Sequence, residues 1–365
     1  MKNMTDKQIN DVQTTHISET LACKHVSHLE PYMSARRIGG AGDLWLNANE
    51  LPFPVPDYKL DDSDYHRYPD HSPIDLVHSY AEFVGLRPEW VLPTRGADES
   101  IELLVRAFCY SGRDVIVDCP PTYGLYQISA NIHDVGVYSA RLTDDYELDL
   151  NALYQAPNNT KIVFLCNPNN PTGNTFNRDT LINIVEHFSD KALVVIDEAY
   201  IEFCPEQSLV SELHKHENLV VIRTMSKAFG LAGVHVGYTL ANPSILSVIN
   251  RVIQPYPIAE PCAQIAVHAL SDFGLNTMNE SVNNVKACRE YFCEQLQNLE
   301  CVSTVYDSQT NFVLVQFDDQ LSAWQQLGED GIVAREPVIS DTIRFTIGTE
   351  EQMQRVIDSL HKLTK

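Results

Sequence analysis

Between residue 74 and about residue 270 the chain alternates short apolar runs with stretches whose apolar positions recur every three or four residues. The runs Val115–Asp118, 162–166, 193–196 and 219–222 are rich in Val, Ile and Leu and lack polar alternation, the pattern of strands buried on both faces. Between them, Ile101, Leu104, Val105 and Phe108 fall at i, i+3, i+4 and i+7, one face of a helix. Strand and helix in turn predict an α/β fold: a large domain with a mostly parallel sheet and helices on both faces. After about residue 270 the alternation stops. A charged helical stretch over 282–296 precedes apolar runs at Phe312–Phe317, 331–334 and 342–347, which predicts a smaller α+β domain. Upstream, Asp43-Leu-Trp-Leu46 reads as a short strand, and the three prolines of Asn47-Ala-Asn-Glu-Leu-Pro-Phe-Pro-Val-Pro56 make that segment irregular. Gly39, Gly40 and Gly42 precede a strand and not a helix, so they predict a turn and not a dinucleotide loop. The expected organisation is a polar arm or surface helix over 1–30, a large domain over 46–270, and a small discontinuous domain from 31–45 and 271–365 against which the arm packs.

The residues just past each expected strand carry the chemistry. In an open parallel sheet the carboxyl ends of the strands share one edge, and ligands bind there. The four runs lead into Cys119-Pro-Pro-Thr-Tyr123-Gly, Asn167-Pro-Asn-Asn170-Pro171-Thr-Gly, Asp197-Glu-Ala-Tyr200 and Arg223-Thr224-Met-Ser226-Lys227. Lys227, at a strand exit among hydroxyls and small residues, is either an ordinary loop lysine or a covalent one. Desolvation pulls an amine below its free pKa of ~10.4, and a neutral amine forms a Schiff base with an aldehyde. Thr224 and Ser226 suit a phosphate oxygen, and the nearby glycines let a flat ligand approach the backbone. Thr94-Arg-Gly96-Ala97-Asp98-Glu99-Ser100 opens the helix of Ile101. It is either a capped helix start or a phosphate site, and in the second case Asp98 and Glu99 must turn away from the anion. An aldehyde cofactor with a ring nitrogen, a phenolic oxygen and a phosphate would use every one of these groups. Asp197 would pair with the protonated ring nitrogen, Tyr200 and Asn170 would bond the ring oxygen, and Tyr123 would stack on the ring. Singly, Asp197 is a cap and Tyr123 a core residue; together, at successive strand exits, they favour the cofactor.

Charge and composition narrow the class further. With 49 acidic against 26 basic residues the formal net charge is −23, which opposes binding to nucleic acid or an anionic membrane. The first 20 residues are polar and do not read as a signal peptide, and no apolar run approaches the ~20 residues of a membrane helix. Nine cysteines without a CxxC pair predict free thiols and a reducing, cytoplasmic setting. The close histidine pairs His25/His28 and His214/His216 lack neighbouring ligands, so no metal is expected.

The segment TMSKAFGLAG over 224–233, with Asn170-Pro-Thr-Gly and Asp197-Glu-Ala-Tyr200, is similar to the lysine signature of the fold-type I pyridoxal-phosphate enzymes. Pro31-Tyr-Met-Ser-Ala-Arg-Arg, Trp45-Leu-Asn-Ala-Asn-Glu, His66-Arg-Tyr-Pro, Arg95-Gly-Ala-Asp-Glu and Pro120-Pro-Thr-Tyr-Gly-Leu-Tyr extend the likeness. With them the chain resembles the histidinol-phosphate aminotransferases from about Pro31 to its end. The resemblance implies pyridoxal 5'-phosphate as cofactor, histidinol phosphate and glutamate/2-oxoglutarate as substrates, and a homodimer with its active site at the subunit boundary. It implies Lys227 as the Schiff-base lysine, a catalytic set of Lys227, Asp197 and Tyr200, and Gly96, Ala97, Asp98, Thr224 and Ser226 around the cofactor phosphate. The partner's Tyr68 would reach the same phosphate. Arg344 would bind the substrate carboxylate or its equivalent, Tyr32 and Arg335 would face the substrate phosphate, and Asn49 joins them as a substrate-binding residue.

One position departs from the pattern. Eight residues beyond the lysine, where that family has an arginine against the cofactor phosphate, this chain has His235. An imidazole near its reference pKa of ~6.5 is only partly charged at neutral pH, so cofactor retention is expected to weaken as pH rises, unless Arg223 or another arginine compensates. A threonine-phosphate decarboxylase and an aromatic amino acid transaminase share the fold and the lysine. A pyridoxal-phosphate-binding regulator without turnover is the reading of a different class, and the chain shows no basic appendage to support it.

Overall fold

The computed structural model describes residues 23–30, 41–53, 56, 58, 60, 66–335 and 339–364. The motif at 31–37, with Tyr32, lies outside the described residues. After a short strand, β1 (Leu44–Trp45), seven strands build the main sheet: β2 (Val91–Thr94), β3 (Val115–Asp118), β4 (Gly136–Ser139), β5 (Thr160–Cys166), β6 (Leu193–Asp197), β7 (Leu219–Thr224) and β8 (Gly237–Ala241). Their order is β2-β8-β7-β6-β5-β3-β4. Strands β3 to β7 pair parallel, and β8 runs against both of its neighbours, so the sheet is mostly parallel as expected.

Alternate residues of the central strands feed two separate cores. Val163, Leu165, Val194, Ile196 and Val221 point into one, while Ile162, Phe164, Val195, Val220 and Ile222 point into the other. A strand that must satisfy both faces becomes continuously apolar, and that is why the four runs stand out in the sequence. Each such side chain contributes about 1.5–3 kcal/mol on full burial. The helix Gly96–Phe108 covers one face, burying Ile101, Leu104 and Val105 as their spacing predicts.

The three remaining strands of this sheet carry weaker signals. β2 contains Pro93, β4 is a partly exposed edge strand, and β8 follows a run of small residues. Beyond residue 270 the helix Asp272–Gln297 begins ten residues before the expected start at 282, because Ser271 caps it and Met278 continues the buried stripe of Val282, Val285, Phe292 and Leu296. A second sheet, in the order β12-β10-β9, is antiparallel and comprises β9 (Val302–Val305), β10 (Phe312–Phe317) and β12 (Thr342–Thr346); the short β11 (Ile332–Val333) pairs parallel with β1.

The segment after β1 joins the β1–β11 pair to the second sheet. Leu46 donates its N–H to Val333 at 2.8 Å and accepts that of Thr346 at 2.9 Å, and Asn311 Nδ2 donates to the carbonyl of Asn49 at 2.9 Å. His25 and Leu29 line a surface cavity with Arg113, Asp114, Val135 and Gly136, at the amino ends of β3 and β4.

Candidate active site

At the carboxyl ends of the parallel strands lies a cavity of about 410 Å³. The chain leaves β3 toward β4 on one side and returns through β5 on the other, so this edge contains the switch point at which open sheets bind ligands. The segments after β3, β5, β6 and β7 bring Tyr123, Asn170, Asp197, Tyr200, Thr224, Ser226 and Lys227 to its wall. Gly96, Ala97 and Asp98 come from the helix start, His235 from the turn before β8, Asn49 from the joining segment, Arg344 from β12, and Arg335 from the segment after β11 that bridges to it. Of the expected site residues that are described, Tyr68 alone is elsewhere, 81% exposed and stacked on Tyr256 with ring centroids 4.6 Å apart.

Asp197 ends β6 and is 2% exposed. Its Oδ2 accepts from Tyr126 Oη at 2.7 Å and its Oδ1 from the Ala199 N–H at 3.1 Å, two neutral donors. Burial dominates those bonds and pushes its pKa up to about 6. A cation beside it would offset that burial and hold the carboxylate firmly ionised. Lys227 is half-buried, and its Nζ donates to the Ala48 carbonyl at 3.1 Å. Desolvation, reinforced by the positive charge of Arg344, lowers its pKa to about 8 against the opposing pull of Asp98, Glu50 and Asp197. The amine is therefore much more readily neutral than a surface lysine.

The helix Gly96–Phe108 points its amino end at the cavity, and its N-cap residue, Arg95, makes no side-chain cap. Gly96 has φ +72°, and a Cβ there would stand 2.9 Å from His235 Nδ1; a Cβ on Gly237 would stand 2.5 Å from the Gly96 carbonyl carbon. Backbone and imidazole thus approach too closely for any larger residue. Thr224 Oγ1 donates to Ser226 Oγ at 3.0 Å across the same corner. Glu99 turns away as expected, taking the Arg95 N–H at 2.6 Å. Asp98 does not: it lines the cavity, where Tyr123 Oη donates to its Oδ1 at 3.0 Å. Arg223 is not available to support His235. It is buried on β7 and ion-paired to Glu198 at 2.8 Å, with Glu202 at 3.9 Å.

The profile of the family Aminotransferase class I and II matches residues 41–360. This chain belongs to that family. Among its relatives, the histidinol-phosphate aminotransferase of Cronobacter sakazakii is 46% identical over 94% of this chain and 96% of its own length, and that of Escherichia coli is 45% identical over 93% and 96%. The solved histidinol-phosphate aminotransferase of Clostridium acetobutylicum superposes with a TM-score of 0.80 at 27% identity, over 88% of this chain and 98% of that one. The Sinorhizobium meliloti enzyme, solved with pyridoxal-5'-phosphate, shares the fold with a TM-score of 0.85 at 23% identity, over 94% and 97%.

Pyridoxal 5'-phosphate is the cofactor of this aminotransferase, and the cavity fits it. A protonated ring nitrogen would give the buried Asp197 a cation, the lowered pKa of Lys227 puts its neutral amine within easy reach, and the uncapped helix start with Thr224 and Ser226 offers donors to a phosphate. Sequence reasoning did not reach Tyr126 or Thr346. Tyr126 is fully buried and holds Asp197; its place at the end of Pro120-Pro-Thr-Tyr-Gly-Leu-Tyr126 was the available signal. Thr346 bonds the backbone N–H of Asn49 at 2.9 Å from a different sheet, and no local pattern announces such a contact.

Proposed function

We propose that the chain interconverts L-histidinol phosphate and 2-oxoglutarate with imidazole-acetol phosphate and glutamate, as a step of histidine biosynthesis. The observation that carries the reading is the pairing of a depressed lysine, Lys227, with a buried carboxylate, Asp197, on the wall of one cavity at the ends of neighbouring strands. Relatives named for this activity at 43–46% identity over nearly the whole chain support the choice of substrate.

The bound cofactor supplies an aldehyde to carry the amino group and a cationic ring to take up the electron pair of the substrate carbon. Asp197, ionised, would pair with the ring nitrogen and keep that ring cationic. Lys227 Nζ would hold the cofactor's aldehyde and, once free, would move the proton at the substrate carbon, for which a pKa of about 8 is well matched. Tyr200 and Asn170 would hold the ring oxygen, and Tyr123 would pack against the ring. Gly96, Ala97, Asp98, Thr224, Ser226 and His235 surround the cofactor phosphate, together with the partner's Tyr68. Arg344 and Arg335, with Tyr32, receive the anionic ends of both substrates, and Asn49 lies beside them. The protein works as a cytoplasmic homodimer, with a large domain over 46–270 and a small one from 31–45 and 271–365.

A substrate comparison on cofactor-saturated protein tests this. Transfer from glutamate to imidazole-acetol phosphate is expected to exceed transfer to phenylpyruvate by more than about tenfold in kcat/KM, the scale that bonds to a charged group give. Release of carbon dioxide from phosphothreonine without amino transfer would make the protein a decarboxylase instead.

A further inference from the structure

The hydroxyl of Tyr200 has one proton, and the direction of that proton is decided at a distance. Asn49 Nδ2 donates to Tyr200 Oη at 3.0 Å and Asn170 Nδ2 does so at 3.4 Å. With two donors aimed at it from the protein, the oxygen accepts there and its own proton is left for the cavity. An amide can turn over and exchange its oxygen for its nitrogen unless its neighbours tell the two apart. Asn170 is told apart by Arg344, whose Nη1 donates to its Oδ1 at 2.5 Å. For Asn49 the discriminating neighbour is Thr346. The N–H of Asn49 donates to Thr346 Oγ1 at 2.9 Å, and the hydroxyl proton of Thr346 then goes to Asn49 Oδ1 at 3.1 Å. Turned over, the amide would leave that proton facing an NH2 group at a position 2% exposed, and would offer Tyr200 an oxygen that takes its proton out of the cavity. The backbone of Asn49 is fixed as well, at φ +53° with its carbonyl held by Asn311 Nδ2.

We propose that Thr346 is a positioning residue of the site, whose hydroxyl fixes the amide of Asn49 so that Tyr200 presents its proton to the cavity. The inference rests on Tyr200 being the partner of the cofactor's ring oxygen. Hydrogen bonding to an oxygen favours its more negative form, and the ring oxygen is most negative when the lysine-bound chromophore has lost its proton. A weakened donor therefore raises the midpoint of the visible absorbance titration of the loaded protein. The charged groups around Lys227, namely Arg344, Asp98, Glu50 and Asp197, are unchanged in every variant.

Thr346→Val keeps the shape and is expected to raise that midpoint by at least about 0.5 unit, roughly threefold in the equilibrium, while Thr346→Ser stays within about 0.2 unit of the unmodified protein. Asn49→Gly suits the positive φ, keeps the backbone bonds and removes only the amide. It should raise the midpoint similarly, and adding Thr346→Val to it should raise it no further. A Thr346→Val midpoint equal to that of the unmodified protein, with Tyr200→Phe clearly shifted, overturns the role of Thr346. Tyr200→Phe without a shift overturns the ring-oxygen reading on which it rests.

Discussion

At the scale of single residues, burial sets the chemistry of Lys227 and Asp197 in opposite directions. The amine is brought down to about 8, so the rate at which apo-protein captures an aromatic aldehyde should climb with pH, reach half its maximum near 8 and level off above about 9. Stopped-flow absorbance across that range checks this, and a rate still climbing steeply two units higher would refute it. Lys227→Ala should remove the visible cofactor band while the far-ultraviolet circular dichroism is unchanged. Asp197 is the reverse case, an acid whose folded pKa of about 6 lies above the ordinary 3.8. Between those values the folded apo-protein binds more protons than the unfolded chain, so Asp197 favours folding below about pH 4 and loses that contribution as pH rises through about 6. Apo Asp197→Asn should therefore gain on the order of 2–3 kcal/mol over unmodified apo-protein at neutral pH, and little near pH 4. Melting curves of both proteins at the two pH values decide it; an equal difference at each would mean that ionisation is not the cause.

Among the elements, the two strands that carry these residues are tied together beside the cavity. Glu198 follows Asp197, is fully buried, and takes bonds from Arg223 Nε at 2.9 Å, from Ser208 Oγ at 3.0 Å and from the Leu209 N–H at 2.6 Å. Arg223 lies four residues before Lys227, so the pair fixes the end of β6 against the end of β7. Its own pKa is raised: burial opposes the charge, and the carboxylates of Glu198 and Glu202 outweigh it. Arg223→Met would leave Glu198 charged and unpaired, and should lower stability by about 3–5 kcal/mol in urea unfolding. Glu202→Gln should cost under about 1 kcal/mol, because burial raises Glu202 to about 7 and neither of its oxygens has a hydrogen-bond partner among the described residues. A larger loss for Glu202→Gln than for Arg223→Met would reverse this ranking of the two ion pairs.

On the scale of the whole molecule, the exposed stack of Tyr68 on Tyr256 lies outside the cavity of its own chain. If Tyr68 serves the partner's site, a hybrid of Lys227→Ala and Tyr68→Ala protomers contains one site with both changes and one with neither. Mixing the two inactive variants under exchange should then restore roughly a quarter of the full activity, as twofold symmetry requires. No recovery in a mixture shown by sedimentation to contain hybrids would place Tyr68 in the site of its own chain or in none. Among the described residues no helix is long and apolar enough to cross a membrane, and no group of three His, Cys, Asp or Glu side chains could hold a metal ion.

By itself the sequence determined the central strands and the polar groups at their ends. A strand buried on both faces must be continuously apolar, and the residues that end it must be polar to meet the ligand edge. Lys227, Asp197 and Asn170 were legible for that reason, and so was the helix that begins at Gly96. Only the tertiary structure decided which side of β7 Arg223 faces, that Asp98 turns into the cavity, and that Thr346 of the second sheet orients Asn49 across nearly 300 residues of chain. Each of those is a contact between elements remote in sequence. Its geometry follows from how two sheets and their helices pack, and a local pattern of polar and apolar positions does not encode it.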